Sequence, residues 1–229
     1  MKVYLSRAVK TINANILLVI LYSCFYLYLT HNKFTINVKS FLLFLIILVG
    51  ILIFVIFFAI FAPGTYAYFS NIVKYGNSQL SFFKNAIKHL LNFYVVALLI
   101  GITYFAIYVI ASLIGLRNIN TLLPSLMLIP ALYILPIVFI RETNIEAIST
   151  GLKFFFRNIQ PSVPLIAVAV LQIGITQIGA LVVSATTQHL FLSIALKSLF
   201  SFANTYIQFI LFVAASMYFL EIAKAPQKN

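Results

Sequence analysis

Long apolar runs alternate along the chain with short segments that carry most of its polar side chains. The hydrocarbon core of a bilayer is about 30 Å thick, so a helix rising about 1.5 Å per residue needs roughly 20 residues to cross it. The run at 41–62 contains no charged residue and predicts the clearest span. The whole pattern predicts an all-α polytopic membrane protein, one integral domain over 1–229, with six transmembrane helices at about 13–30, 41–62, 92–116, 122–140, 162–183 and 199–220.

Amphipathic segments between these runs predict helices on the membrane surface. The lead-in at 1–13 is basic, and 65–91 predicts an extension, a turn at Gly76 to Ser78 and a second surface helix. Pro63 and Gly64 predict the end of the preceding span. A third surface helix is expected within 141–161, where Thr143 and Glu146 have the spacing of a capping box.

Prolines 124, 130 and 136 divide the fourth span. Each interior proline removes a helix hydrogen bond and clashes with the preceding turn, so this span is expected to be kinked or locally unwound. Either the kinks fix packing geometry, as prolines commonly do in membrane helices, or they form a gating hinge.

Composition supports lipid as the solvent for most side chains. Hydrophobic residues make up 63% of the chain, charged residues 8%, and the mean hydropathy is +1.11. Ordinary soluble domains are about half apolar and about a quarter charged. The net charge of +12 is scattered between apolar runs instead of lining one face, which argues against nucleic acid and for a bilayer with anionic headgroups as the binding partner.

Cys24 is the only cysteine, and the bulky Tyr22 argues that the first span is retained and not cleaved as a signal peptide.

The distribution of Lys and Arg predicts orientation. With six spans and both termini cytoplasmic, eleven of the fifteen Lys and Arg residues lie inside, as the positive-inside rule requires. The outside segments then hold only Lys33, Lys39, Arg117 and Lys197. We therefore expect both termini and the amphipathic helices on the cytoplasmic side of the membrane.

The three surface segments share a short motif, compatible with three repeated helical hairpins. A small residue and an aliphatic residue precede a lysine, and an amide follows about a turn later; the copies start at Ala8, Ala86 and Gly151. Together with Pro130, Pro136, Glu142 and the segment EAISTGLKFFFRN at 146–158, this pattern resembles a group of bacterial six-span families. That group includes the membrane domain attached to some glycerophosphoryl diester phosphodiesterases. The 229 residues contain no phosphodiesterase domain, so the resemblance implies no enzymatic activity.

The sequence offers little catalytic chemistry. There is no Asp, and hydrolysis by acid–base or metal-assisted routes needs clustered carboxylates, histidines or cysteines. Glu142 and Glu146 lie one turn apart and could bind a cation. Helix capping explains Glu146 better, and pairing with Arg141 or a neighbouring base explains Glu142 better. We expect no enzyme, no cofactor and no metal. Contacts with a partner or with lipid headgroups are expected from Lys84, Lys88, Glu142, Glu146, Lys153 and Arg157.

Polar residues inside the last two spans form a second candidate site. These are Gln172, Thr176 and Gln177 in the fifth span and Asn204 and Gln208 in the sixth. They form either interhelical hydrogen bonds or a polar pocket. Two functions are compatible with these features. The first is a non-catalytic membrane component, a permease-like subunit or a scaffold, that docks a cytoplasmic ATPase or another protein subunit. The alternative is a stand-alone transporter or lipid-handling protein with a polar cavity between spans four, five and six.

Overall fold

The computed structural model describes residues 1–31, 41–76, 82–116, 122–186 and 190–224, and it is helical throughout these ranges apart from short connections. The loops expected between spans at 32–40 and 117–120 lie outside the described residues, as do residues 225–229 and most of the turn predicted at Gly76 to Ser78. The helices are α1 (Lys2–Ala14), α2 (Ile16–His31), α3 (Phe41–Tyr75), α4 (Phe82–Leu113), α5 (Leu122–Met127), a 3-10 helix (Ile129–Tyr133), α6 (Ile134–Arg141), α7 (Glu146–Arg157), α8 (Ile159–Ala185) and α9 (Leu190–Lys224).

Four helices among the described residues are long and apolar enough to cross a membrane: α3, α4, α8 and α9. A fifth crossing is possible if α1 and α2, which meet at an angle of 79°, form one broken span. The apolar stretch Ile129–Arg141 is shorter. The all-helical membrane architecture therefore matches the sequence prediction, whereas the count of six spans stays a prediction.

Helix α9 forms the centre of the bundle. Its most apolar stretch is 56% buried, against 11% for those of α4 and α8. It packs against α1, α2, α3, α6, α8 and the 3-10 helix. Much of the apolar surface of α4 and α8 is exposed, which suits contact with lipid tails.

The prediction that Pro63 and Gly64 end a helix is wrong, because α3 continues through them to Tyr75. Pro63 has no N–H to offer the carbonyl of Ala59, four residues earlier. The Tyr94 hydroxyl of α4 donates to that carbonyl instead, at 3.0 Å. Gly64 allows close packing: a Cβ there would lie 2.6 Å from the Phe82 ring. A neighbouring helix thus stabilises a sequence that resembles a helix end.

Two predicted boundaries between surface helix and span are also wrong. Residues 82–91 do not form a separate helix but are the first turns of α4. Likewise, 184–197 is predicted from its sequence as a polar loop that contains a short interfacial helix, but α9 begins at Leu190 and already includes residues 190–197. In both cases the polar residues lie on a helix that is long enough to extend beyond the hydrocarbon core.

The predicted break in the fourth span, the proline-rich segment at 122–141, is confirmed. Helix α5 ends at Met127, and the chain then winds as a 3-10 helix with Pro130 in its first turn before α6 resumes. Tyr133, at the end of the 3-10 helix, is fully buried and bonds through its hydroxyl to Ser162 Oγ at 2.7 Å. This bond ties the irregular segment to the start of α8.

The capping box predicted at Thr143 and Glu146 does not form. Helix α7 starts at Glu146, the preceding residue Ile145 is the N-cap, and no side chain caps the helix. Asn144 Oδ1 accepts the Ile145 N–H instead, and Thr143 Oγ1 is buried without a hydrogen-bond partner. The left-handed conformation of Glu142 (φ 59°) changes the chain direction so that Thr143 precedes the N-cap.

Candidate functional site

Three of the five predicted intramembrane polar residues meet at the contact between α8 and α9. Gln172 Nε2 donates to Asn204 Oδ1 at 2.9 Å, and Thr176 Oγ1 lies 3.3 Å from the same oxygen. Gln208 Nε2 donates to the hydroxyl of Tyr66 on α3. These amides therefore link helices, since an unpaired amide in hydrocarbon costs several kcal/mol. Gln177 is half-buried on α8.

The same residues also border two cavities. Gln172 and Gln208 line a cavity of about 220 Å³ whose other walls are mainly apolar and come from α3, α4, the proline-rich segment and α9. Asn204 and Thr176 line a second cavity of about 300 Å³, bordered by α2 and by Lys197 near the start of α9. The predicted polar face is thus both an interhelical contact and part of two cavity walls.

The first cavity lies beside the proline-rich segment. Leu128 and Ala131 line it from the junction of α5 and the 3-10 helix, and Leu135 and Pro136 from α6. Pro136 cannot donate a backbone hydrogen bond, and the altered winding leaves space that a regular helix packed at native density would fill. The segment predicted to break the span therefore forms one wall of this cavity, and Pro136 is the proline that lines it.

Lys88 and Glu142, both predicted as contact residues, pair with each other. Lys88 Nζ lies 2.7 Å from Glu142 Oε1, with both side chains partly exposed. Asn92 Nδ2 donates to the Glu142 carbonyl at 3.3 Å. The hydrogen bond from Lys88 lowers the pKa of the Glu142 carboxyl below its ordinary value of 4.5, and the charges of Lys88 and Lys74 act in the same direction. This pair fastens the end of α6 to the start of α4, as the prediction of a neighbouring base for Glu142 required.

His89 lies next to this ion pair and is buried in the protein. It is 6% exposed, its ring lies 5.0 Å from that of Phe139, and Nδ1 has no hydrogen-bond partner. The sequence predicts a surface position at the headgroups for His89, beside Lys88, and this prediction is wrong because α4 turns His89 toward α6. Among the described residues, no three His, Cys, Asp or Glu side chains come together as metal ligands.

The other predicted contact residues lie on exposed faces. Helix α7 is held by Ala147, Gly151 and Phe155, which are buried. Its opposite face exposes Glu146, Lys153 and Arg157. Lys84 is exposed in the first turn of α4.

A basic cleft of about 390 Å³ opens between α7 and the ends of α6 and α9. Arg141, Lys153 and Arg157 line it, together with Thr150 and the aromatic rings of Phe154 and Phe219. Arg141 was not among the contact residues predicted from the sequence. It is the last residue of α6, and the turn at Glu142 brings it opposite α7. Its place in the same short segment as Lys153 and Arg157 was the sequence signal that could have identified it.

Comparison with protein-family models, with curated proteins and with solved structures gives no match for this chain. The resemblance to bacterial six-span families therefore stays a prediction from the sequence.

Proposed function

We propose that the protein is a non-catalytic component of the bacterial cytoplasmic membrane that handles lipid, holding part of an amphiphilic molecule in the cavity between α3, α4, the proline-rich segment, α8 and α9. The observation that carries the proposal is the lining of this cavity: apolar walls with Gln172 and Gln208 as polar groups. Ligand sites are typically apolar with a few placed polar groups.

The size of the cavity indicates what it would hold. Small-molecule pockets usually measure about 300–1,000 Å³. A cavity of about 220 Å³ is too small for a whole lipid and suits a segment of acyl chain. A polar group on the chain, such as an ester, could accept a hydrogen bond from Gln172 or Gln208 and would be oriented by it.

A photoactivatable phospholipid with a diazirine in its acyl chain tests this proposal in liposomes. The crosslinked peptides should include Leu128–Leu135. The yield of these crosslinks should fall strongly in Ala131→Phe, because the phenylalanine ring occupies space in the cavity. Ala106→Phe on the exposed face of α4 is the matched control and should leave this labelling unchanged. Labelling that is confined to the outer faces of α4 and α8, or that persists in Ala131→Phe, would contradict the proposal.

A second candidate function is the docking of a cytoplasmic protein, such as an ATPase subunit, on α7. The observation that favours it is the exposed face of this helix, where Phe156 is 62% exposed beside Arg157. An aromatic ring beside an arginine is typical of protein interfaces.

A photocrosslinking amino acid at position 156, compared in cells with one at the lipid-facing Leu98, tests docking. A defined adduct with a soluble protein at 156 and none at 98 supports it. Adducts with lipid alone at both positions would contradict it, since Phe156 would then face the bilayer.

A further inference from the structure

The basic cleft combines three cations from two separate elements. Arg141 ends α6, whereas Lys153 and Arg157 lie one turn apart on α7. Like charges four residues apart on a helix repel each other, by about 0.2–0.5 kcal/mol for an isolated pair. The fold adds a third positive charge to this pair instead of separating them, so the cleft favours an anion.

No carboxylate side chain of the chain neutralises this charge. The sequence has only three, all on described residues. Glu142 binds Lys88, and Glu221 lines a different cleft with Tyr4 and Arg7. Glu146 lies two helical turns before Lys153 and is absent from the lining of the basic cleft.

Aromatic contacts fix the geometry of the cleft. The Arg141 guanidinium lies over the Phe219 ring, 5.2 Å from its centroid, and Phe154 packs on the same ring at 5.0 Å. A guanidinium that stacks on a ring keeps its N–H groups at its edge available for hydrogen bonds. Asn158 at the end of α7 is held through its amide, which donates to the Phe154 carbonyl at 2.9 Å.

We propose that Arg141, Lys153 and Arg157 form a binding site for a phosphate group. Arginine binds phosphate through two parallel hydrogen bonds and lysine supplies a compact charge, so both residue types suit this anion. The cleft lies beside a surface helix at the expected depth of the headgroups, where the phosphate of a lipid is available. Assigning a lipid as the source rests on the proposed function, whereas binding of the phosphate group itself does not.

Binding of two probes to the purified full-length protein tests the site: short-chain phosphatidic acid and inorganic phosphate. The double variant Lys153→Gln/Arg157→Gln should bind the preferred probe at least about tenfold more weakly, because each lost cation removes a charge-assisted hydrogen bond. The double variant Lys2→Gln/Lys10→Gln removes the same net charge from α1, another surface helix, and should change the affinity less than about threefold. The single variant Arg157→Lys should bind more weakly than wild type but more tightly than the double variant in the cleft, since lysine keeps the charge and cannot form the bidentate contact.

The outcomes separate the two sources and the two proposals. Binding of phosphatidic acid that depends on the cleft, without competition by inorganic phosphate, assigns the site to a lipid phosphate. Cleft-dependent binding of inorganic phosphate assigns it to a free phosphate. Equal losses in both double variants, or no binding of either probe, would overturn the site. If the double variant in the cleft does not fold, Lys153→Gln alone keeps the test, because this side chain is exposed. Acyl-chain labelling of the cavity is measured separately, so it can persist when the cleft fails.

Discussion

At the scale of single residues, hydrogen bonds between distant positions decide where helices continue. Pro63 deprives the Ala59 carbonyl of its partner inside an apolar helix, and Tyr94 replaces that partner from a neighbouring helix. Within a membrane no water is available to do the same. A hydroxyl 31 positions away from Pro63 therefore stabilises a helix that its own local sequence would end.

Tyr94→Phe should destabilise the protein by about 1 kcal/mol, because it leaves the Ala59 carbonyl without a donor. Unfolding in mild detergent measures this cost, with Tyr75→Phe at an exposed tyrosine as the control. Pro63→Ala restores an N–H for Ala59, so Tyr94→Phe should cost less in that background. Equal costs in both backgrounds would contradict the role assigned to Tyr94.

Glu142 provides a second test at this scale. Its pKa is lowered by Lys88, so the ion pair stabilises the folded state above the ordinary carboxyl pKa of 4.5 and loses this effect as pH falls through the lower folded value. Glu142→Gln should therefore be slightly less stable than wild type at pH 7, by no more than about 1 kcal/mol because the pair is partly exposed. The difference should disappear in strongly acidic buffer.

Glu142→Gly separates the ion pair from the backbone. It also loses the carboxylate, but it relieves the left-handed conformation, which costs a non-glycine residue about 1 kcal/mol or more. It should be at least as stable as Glu142→Gln when both are unfolded at pH 7. A clearly less stable glycine variant would mean that backbone freedom in the unfolded state outweighs the relief.

At the scale of elements, two of the three copies of the surface-helix motif share their geometry. Helix α1 ends at Asn15 and α7 at Asn158, with nearly equal backbone angles. Each side-chain amide donates to the carbonyl four residues back, and each side-chain oxygen accepts from a tyrosine: Asn15 from Tyr68 and Asn158 from Tyr218.

The middle copy differs, because α4 passes through it without a break and its Asn92 bonds to the Glu142 carbonyl. The sequence predicted that an amide satisfies backbone groups at the bend, and this holds for Asn15 and Asn158. It could not predict which copies bend, since that depends on which tyrosine or carbonyl lies opposite each amide. Repetition of whole hairpins stays a prediction.

Gly151→Ala tests how closely α7 is held. A Cβ there would lie 2.9 Å from Ile134 Cγ1 and 3.0 Å from its Cα, so the backbone of one helix must shift. Overpacking of this kind costs about 1–3 kcal/mol. Gly101→Ala on α4 meets nothing within 4 Å and should instead stabilise the protein by about 0.5–1 kcal/mol.

Protease accessibility of α7 would add a local readout. Cleavage within this helix should increase in Gly151→Ala and stay unchanged in Gly101→Ala. If both variants behave alike, the close contact between α7 and Ile134 does not hold the helix in place.

At the scale of the whole molecule, the apolar pattern predicted the helices and their membrane environment, because transfer of side chains into lipid depends on local composition. It predicted Gln172, Thr176 and Asn204, which bond between α8 and α9, and Gln208, which bonds to Tyr66 on α3, since buried amides need partners. It missed Arg141 and Tyr66, whose roles depend on the positions of other helices. Periodicity within a segment carries no information on which segments become neighbours.

The contacts at the end of the proline-rich segment indicate the direction in which it runs. Helix α4 rises from Phe82 to Leu113, about 48 Å at 1.5 Å per residue. By Glu142 the chain is again beside Lys88, near the start of α4. Between Leu113 and Glu142 the chain therefore comes back along α4, as the predicted fourth span requires.

Single cysteines in a Cys24→Ser background test this topology with a membrane-impermeant maleimide. If the segment crosses, Lys153→Cys and Lys84→Cys should both react only after the cells are permeabilised, because the return of the chain puts α7 at the same end as the start of α4. Lys197→Cys, near the start of α9, should react in intact cells and shows that the outer surface is accessible. If Lys153→Cys reacts in intact cells while Lys84→Cys does not, the proline-rich segment re-enters on the side where it began. The phosphate site would then face the opposite surface, and the excess of Lys and Arg on the cytoplasmic side would be largely lost.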